Sequence, residues 1–249
     1  MRSASAIAVC VATAGCALVA VAVSGCDTTQ DAAARIKVRS ERTLASRKPT
    51  KVRKQAKDVK VERATLLEGK DGTALAVTLR NRGSEPVNDL PLLVGVRTAA
   101  GDKEYLNDGK DVPYFKAHSP AIAAGESATW VYTTKHEVPG AAAAFAEIGA
   151  PPTPPVTTAS SVPQVDVADP EPAPGDPEKV RVDVSNEIGF VQYELEVFAW
   201  ATRGDRLVAA GAASAGDLEP GETEPVTVKL IGDPKGAQVH VSAPPTIYQ

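Results

Sequence analysis

From residue 58 onward, hydrophobic residues recur at every second position in short segments. Leu75, Val77 and Leu79 show this spacing, and residues 180–184 repeat it in the second half of the chain. A period of two is typical of a strand with one face in a hydrophobic core. Turns rich in Gly, Asp, Asn and Pro separate these segments. The pattern predicts strands near 58–66, 73–80, 90–97, 128–135 and 142–148, and again near 163–168, 179–185, 191–201, 206–212, 224–231 and 237–243.

The same order of strands and turns occurs twice along the chain. Residues 77–81 align with 182–186, and the turn at 124–127 aligns with the turn at 220–223. The offset between matched positions falls from 105 at the first match to 93 at the last. A steady fall is expected if the first copy carries a longer loop around 107–119. We therefore predict a duplicated unit.

An apolar segment precedes the strands. Residues 4–23 consist almost entirely of Ala, Val, Ile, Leu, Cys and Thr, with Arg2 before them and Ser24, Gly25 and Cys26 after them. A positive charge followed by an apolar run and small residues is the signature of a secretory signal. An uncleaved membrane helix and another export route remain alternatives, because several basic residues follow the apolar run and such residues normally stay cytoplasmic.

Val23-Ser24-Gly25-Cys26 resembles the lipobox of a bacterial lipoprotein, and the high Ala, Val and Arg content resembles proteins of actinobacteria. The resemblance implies that residues 1–25 are a signal peptide that is removed. It also implies that Cys26 is lipidated and holds the protein on the outer face of the cytoplasmic membrane. Cys10 and Cys16 lie in the segment predicted to be removed, so the mature chain has no free thiol. A disulfide framework, a cysteine-based zinc site and a catalytic cysteine are therefore excluded.

The strand and turn order resembles that of small extracellular sandwich modules of bacterial lipoproteins, the FxLYD-type group. The likeness rests on the Asn-containing turn at 81–83, the Gly-Asp turn at 204–205 and the Pro-Gly-Glu turn at 220–222, while the FxLYD signature itself is not visible. Regularly spaced short strands over about ninety residues also favour an immunoglobulin-like sandwich. The resemblance implies modules that bind or space rather than catalyse.

The predicted fold is all-β, with two tandem immunoglobulin-like β-sandwiches behind a signal peptide and a flexible basic stalk. The predicted segments are a signal peptide at 1–25, a lipidated stalk at 26–57, a first sandwich at 58–150, a Pro/Thr/Ser linker at 151–162 and a second sandwich at 163–249.

Charge is distributed unevenly along the chain. Residues 35–63 contain twelve Lys or Arg and three acids, whereas residues 64–249 contain fourteen Lys or Arg and twenty-six acids. The basic stretch is interpreted as a solvated tether or as a segment that adheres to anionic headgroups or wall polymers. Nucleic acid is not an expected partner, because the stretch lies outside the cell in this interpretation and lacks interleaved aromatic residues.

No motif in the sequence points to catalysis or metal binding. The three histidines have no partners at metal-ligand spacing, and the common hydrolase, zinc-protease and nucleotide-binding motifs are absent. The acids at 102–111 do not follow the spacing of a calcium-binding EF-hand loop. We therefore predict a non-enzymatic protein that requires no cofactor and no metal ion.

The predicted strand at 191–201 carries two aromatic residues on its polar face. Phe198 and Trp200 share their parity with Glu194 and Glu196, which are themselves interpreted as a solvated face. Either the second half of the strand is covered on both faces, or the two aromatic side chains are exposed. Because exposed aromatic residues often mark a partner or glycan surface, Phe198 and Trp200 are the candidate binding residues.

These features predict a lipoprotein anchored on the extracytoplasmic side of the membrane. Its predicted role is a binding or assembly module for an envelope protein or a wall glycan. The alternative is a ligand-capturing accessory of a transporter or sensor. The sequence identifies neither the partner nor the ligand.

Overall fold

The computed structural model describes residues 29–150 and 161–246, which form mainly antiparallel β-strands. The prediction of an all-β fold is confirmed for the described residues from 59 onward. The described part also contains an α-helix, α1 (Thr29–Ser46), and a short 3-10 helix at Tyr114–Lys116. The predicted signal peptide, Cys26 and most of the predicted linker lie outside the described residues.

The first half of the chain forms two antiparallel sheets with a core between them. One sheet has the order β1-β2-β5 and the other the order β4-β3-β6. Their strands are β1 (Val59–Gly69), β2 (Gly72–Asn81), β3 (Leu92–Thr98), β4 (Lys103–Tyr105), β5 (Ser127–Thr134) and β6 (Ala141–Ile148). Trp130 on β5 is fully buried, and its indole nitrogen donates a 2.8 Å hydrogen bond to the carbonyl oxygen of Phe115.

The second half also forms two antiparallel sheets around a core. One sheet has the order β12-β9-β7, with β8 also pairing with β9, and the other has the order β13-β11-β10-β14. Their strands are β7 (Asp166–Val167), β8 (Glu171–Ala173), β9 (Asp176–Ser185), β10 (Gln192–Arg203), β11 (Arg206–Leu218), β12 (Thr223–Lys229), β13 (Ile231–Gly232) and β14 (Gln238–Ser242). The strand predicted at 163–168 is reduced to two residues, and β4 and β8 were not predicted.

A buried asparagine closes the loop at the end of one long strand in each half. The side-chain oxygen of Asn81 accepts from the backbone N–H of Gly83, and its amide donates to the carbonyl of Glu85. Asn186 makes the same two bonds, accepting from the N–H two residues on and donating to the carbonyl four residues on. Both asparagines are fully buried. The two positions were aligned in the predicted duplication, and their local hydrogen bonding is the same.

The sheets of the two halves pack against each other. Alternate side chains of a strand point to opposite faces, and Ala74, Leu75 and Ala76 of β2 are all buried, so this strand is covered on both sides. Phe198 and Ala210 from the second half belong to the same hydrophobic cluster as these residues. The four sheets therefore form one continuous stack with the β1-β2-β5 sheet in its interior.

The predicted flexible stalk is wrong for residues 29–46, which form α1. Alanines and straight-chain residues from position 32 to 42 favour a helix because they lose little side-chain freedom there. Arg35 and Arg42 on this helix are only 5% and 6% exposed. The helix is therefore packed against the body instead of extending away from it. Within the described ranges, no helix is both long enough and apolar enough to span a membrane.

Candidate functional site

Phe198, the first candidate binding residue, is buried and does not form an exposed surface. It is 1% exposed and belongs to the cluster that joins the two halves. Its neighbours Val197 and Ala199 point into the core of the second half. The second half of β10 is thus covered on both faces, which overturns the exposed alternative for Phe198. No local pattern reveals this, because the covering surface comes from strands of the first half, such as β5, that are distant in sequence.

Trp200, the second candidate, is partly buried against the same cluster. Its ring stacks on the imidazole of His240 with the ring centroids 5.6 Å apart and the planes 19° apart. The His240 Nε2 also lies 3.2 Å from the hydroxyl oxygen of Thr202. Trp200 therefore contributes to the contact between the two halves.

The acids at 102–111 do not converge on a common point. Glu104 pairs loosely with His136 at 3.9 Å, and the backbone N–H of Asp111 donates to the carbonyl of Ser46 at the end of α1. No three His, Cys, Asp or Glu residues in the described ranges are grouped in a way that would bind a metal ion.

The most elaborate polar arrangement in the described structure is the junction between α1 and the two halves. Arg35, Arg39 and Arg42 lie on one face of the helix, because residues spaced by three and four are neighbours on a helix. Arg39 and Arg35 contact the second half. The Arg39 guanidinium lies 3.0 Å from a carboxylate oxygen of Asp217 and stacks over the ring of Tyr193, while Arg35 stacks over Phe190.

Arg42 is the central residue of this junction. Its Nη2 donates to both carboxylate oxygens of Asp89, at 3.0 and 2.9 Å, and to the carbonyl oxygen of Thr246 at 2.6 Å. The guanidinium also lies 4.9 Å from the ring centroid of Phe115. The buried Nε of Arg42 has no hydrogen-bond partner within the described structure. The rings of Tyr114 and Phe115 lie against the guanidinium and stabilise its positive charge. Arg42 therefore links α1 to the first half and to the C-terminal segment.

The C-terminal segment extends this link into the second half. The backbone N–H of Thr246 donates a 2.8 Å hydrogen bond to the side-chain oxygen of Gln192, and both residues are buried. Gln192 is the first residue of β10. The helix is therefore connected to both halves through short hydrogen bonds, which are partly buried at Asp89 and fully buried at Thr246.

Two titratable side chains are withdrawn from water. Glu196 on β10 is half-buried and interacts with Lys116 of the first half, and His118 is buried near Arg42 and Asp89. Burial raises the pKa of Glu196 to about 7, with Glu194 adding to the rise and Lys116 of the first half opposing it. Burial lowers the pKa of His118, whose ring stacks face to face on Tyr114 at 3.9 Å. Both groups are thus neutral over part of the range in which their exposed counterparts carry charge.

The face of α1 that points away from the body carries apolar and basic side chains. Ile36 and Leu44 are 61% and 59% exposed. Exposed basic residues follow the helix directly, at positions 47, 48, 51, 53, 54 and 57. The helix was not predicted, although the spacing of its arginines is a sequence signal for it.

A shallow cleft of about 300 Å³ opens beside the start of β1. Its apolar wall includes Ala56, Val59, Val87 and Leu90, and Asn81 lies at its base. Its wall suits a small, largely apolar ligand group.

No protein-family model matches the chain, and no curated protein matches it. The functional assignment therefore depends on the sequence features and on this geometry alone.

Proposed function

We propose that the protein is an extracytoplasmic lipoprotein, anchored through Cys26, that acts as a non-enzymatic binding or assembly module. The observation that carries the proposal is the junction at Arg42. It joins the helix that follows the anchor to both halves of the body. A segment that serves only as a spacer does not need buried arginines. A protein that holds a binding surface in a fixed position near the membrane needs such contacts between the helix and the body.

The two halves are proposed to be immunoglobulin-like modules that arose by duplication. Each half has two packed antiparallel sheets, and each has a buried asparagine with the same two loop bonds. Packing of one module on the other buries Phe198. The partner proposed for this pair is another envelope protein or a wall glycan.

The anchor is tested by comparing the native chain with Cys26→Ser in its host. The expected result is a mature N-terminus at Cys26 carrying a diacylglycerol, with the native chain in the detergent phase. The variant should lose both the lipid and the cleavage. A native chain that retains residues 1–25 would contradict the lipoprotein proposal and support an uncleaved membrane helix.

The assembly role is tested by cross-linking on intact cells. The same envelope protein should be captured reproducibly with the native chain and should be lost with Cys26→Ser, because the variant is not placed at the membrane. Capture that is equal for both forms would argue against a role that depends on anchoring. A control with Asp102→Ala, in an exposed turn, should leave the capture unchanged.

The cleft beside β1 supports the second candidate function, a ligand-capturing accessory of a transporter or sensor. Ligands that prefer the native state raise the melting temperature. The test is thermal unfolding with muropeptide fragments, mono- and disaccharides and short acyl chains, using native protein and Ser84→Trp, which fills the cleft. A rise that only the native protein shows would favour capture. Flat curves across the panel would count against it.

A further inference from the structure

The outward face of α1 carries exposed apolar side chains next to exposed basic ones. Ile36 and Leu44 are the two large hydrophobic side chains that are exposed within the described ranges. Every other large hydrophobic residue of the described structure is at least partly buried. A helix with its polar face turned inward and its apolar residues outward is reversed relative to an ordinary surface helix.

The reversal follows from the positions of the arginines. Arg35, Arg39 and Arg42 face the body, where they contact carboxylates, a carbonyl oxygen and aromatic rings. Ile36 and Leu44 are a little over two helical turns apart, so they lie within about 80° of each other around the axis. Their shared direction is away from the arginine face. The exposed Ser40 lies between them on the helix surface.

Basic residues predominate beside this apolar stripe. Lys37 is exposed next to Ile36 and forms a 4.0 Å ion pair with the exposed Glu41. Arg47 and Lys48 are exposed immediately beyond the end of the helix. Lys51 and Arg53 continue the exposed basic run. Apolar residues flanked by Lys and Arg are the pattern of a helix that lies in the headgroup region of an anionic bilayer.

The helix also begins close to the proposed anchor. Only two residues separate Cys26 from Thr29, the first residue of α1. Three residue steps span at most about 11 Å. The headgroup region of one leaflet is itself about 5–8 Å thick. The start of the helix is therefore confined to the membrane surface once Cys26 is acylated.

We propose that α1 lies on the membrane, with Ile36 and Leu44 inserted among the headgroups of anionic lipids and the flanking Lys and Arg residues bound to their phosphates. This inference rests on the proposed lipidation of Cys26. The arginine face then holds the two halves directly above the bilayer. The first part of the basic segment was interpreted from the sequence as a tether or as a segment that adheres to anionic headgroups. In this proposal it lies on the lipid as a helix.

The test uses mature, lipidated protein in vesicles of phosphatidylcholine with and without phosphatidylglycerol. Ile36→Cys and Leu44→Cys each introduce the sole free thiol, because Cys26 is acylated, and each is labelled with an environment-sensitive fluorophore. Asp102→Cys is the matched control. It is exposed in the turn after β3, about 23 Å along that strand from the end near α1.

The expected result is a blue-shifted emission at positions 36 and 44, several-fold protection from a water-soluble quencher, and quenching by a lipid-borne quencher. The shift should be larger with phosphatidylglycerol, and the label at position 102 should remain exposed to water. Labels at 36 and 44 that behave like the label at 102 would overturn the inference. Protection without lipid-borne quenching would also overturn it, since a protein would then cover the stripe.

A failure of this inference is distinguishable from a failure of the proposed function. The mass of the purified mature chain reports acylation of Cys26 independently of the fluorophore. An acylated chain with water-exposed labels at 36 and 44 overturns only the placement of α1. A chain without the acyl modification overturns the lipoprotein proposal itself.

Discussion

At the scale of single residues, Arg42 shows how a strongly charged side chain is stabilised inside a protein. Its side chain is 7% exposed, and Asp89 opposite it is 27% exposed. Removing such a charge from water is costly unless hydrogen bonds and an opposite charge replace the hydration. Two carboxylate oxygens and one carbonyl oxygen supply that replacement here. Asp89 adopts a left-handed backbone conformation with φ of 55°, which aspartate tolerates better than most residues.

Arg42→Ala is expected to destabilise the protein by about 3 kcal/mol, because it leaves the Asp89 carboxylate and the Thr246 carbonyl without their partner. Arg42→Lys should recover only part of this loss, since an ammonium group cannot reproduce the planar, multidentate contact. Urea unfolding measures both values. The exposed Arg47→Ala is the control and should change stability by less than about 0.5 kcal/mol. Equal effects for Arg42→Ala and Arg47→Ala would contradict a structural role for the junction.

Glu196 should make stability depend on pH. Its pKa is about 7 in the folded protein, above its usual value, so the folded state binds the proton more tightly than the unfolded state. The neutral side chain therefore stabilises the fold at low pH, and this contribution is lost as the pH rises from about 4.5 through about 7. Glu196→Gln removes the titration and should be more stable than the native chain at pH 8, by at most about 3 kcal/mol.

Thermal unfolding between pH 5 and pH 8 measures this difference. The exposed Glu187→Gln should follow the native pH profile and serves as the control. A Glu196→Gln profile that runs parallel to the native one across the whole range would show that the carboxyl is hydrated in the folded state.

At the scale of elements, the strands could be predicted largely from the sequence, while the docking of α1 on the body and the covering of β10 could not. Leu75, Val77 and Leu79 predict a strand from their spacing alone, because the alternation of side chains between the two faces is a local property of a strand. The burial of Arg42 depends on Asp89 and Thr246, which are distant in sequence. A basic, alanine-rich segment is compatible with a tether and with a docked helix until those partners are known.

The burial of Phe198 likewise depends on distant residues. Phe198 shares its parity with Glu196, and this pattern allows two alternatives that the sequence alone does not separate. The covering residues, such as Ala74 and Ala76 on β2, carry no signal of what they pack against. Small side chains at these positions allow the sheets to approach closely. Their role in the contact is known only once the positions of both sheets are known.

Each buried asparagine stabilises the loop at the end of its strand, with Asn81 as the last residue of β2 and Asn186 directly after β9. Asn81→Ala removes a hydrogen bond from the N–H of Gly83 and leaves the carbonyls of Glu85 and Ile122 without this donor. Asn186→Ala has the corresponding effect in the second half. Each variant is expected to lose about 2–3 kcal/mol, because buried polar groups left unpaired are costly.

Urea unfolding of both variants tests this prediction, with the partly buried Asn88→Ala as the control that should lose less than about 1 kcal/mol. Similar losses at the two positions would support a shared structural role in the proposed duplication. A large loss at only one of them would argue that the two loops are stabilised in different ways.

At the scale of the whole molecule, the described residues of the two halves are joined mainly by three kinds of contact. The apolar contact centres on Phe198, α1 contacts both halves through its arginines, and exposed ion pairs connect the β1-β2 turn with the second half, as in Lys70–Glu178 at 3.0 Å and Lys229–Asp71 at 2.9 Å. The exposed ion pairs add little. The apolar contact and the buried arginines therefore provide most of the coupling between the halves.

The native chain is consequently expected to unfold in a single cooperative transition, followed by both calorimetry and tryptophan fluorescence. Trp130 reports on the first half and Trp200 on the contact, so coincident transitions indicate one unit.

Phe198→Ala should lower stability by about 3–5 kcal/mol, the usual range for a large core aromatic. It should also separate the unfolding transitions of the two halves, because the cavity left by the phenyl ring weakens the apolar contact that couples them. Leu44→Ser, on the outward face of α1, is the control and should preserve a single transition at the native temperature. Two transitions in the native chain would show that the halves are independent and that the junction at Arg42 does not fix them to one another.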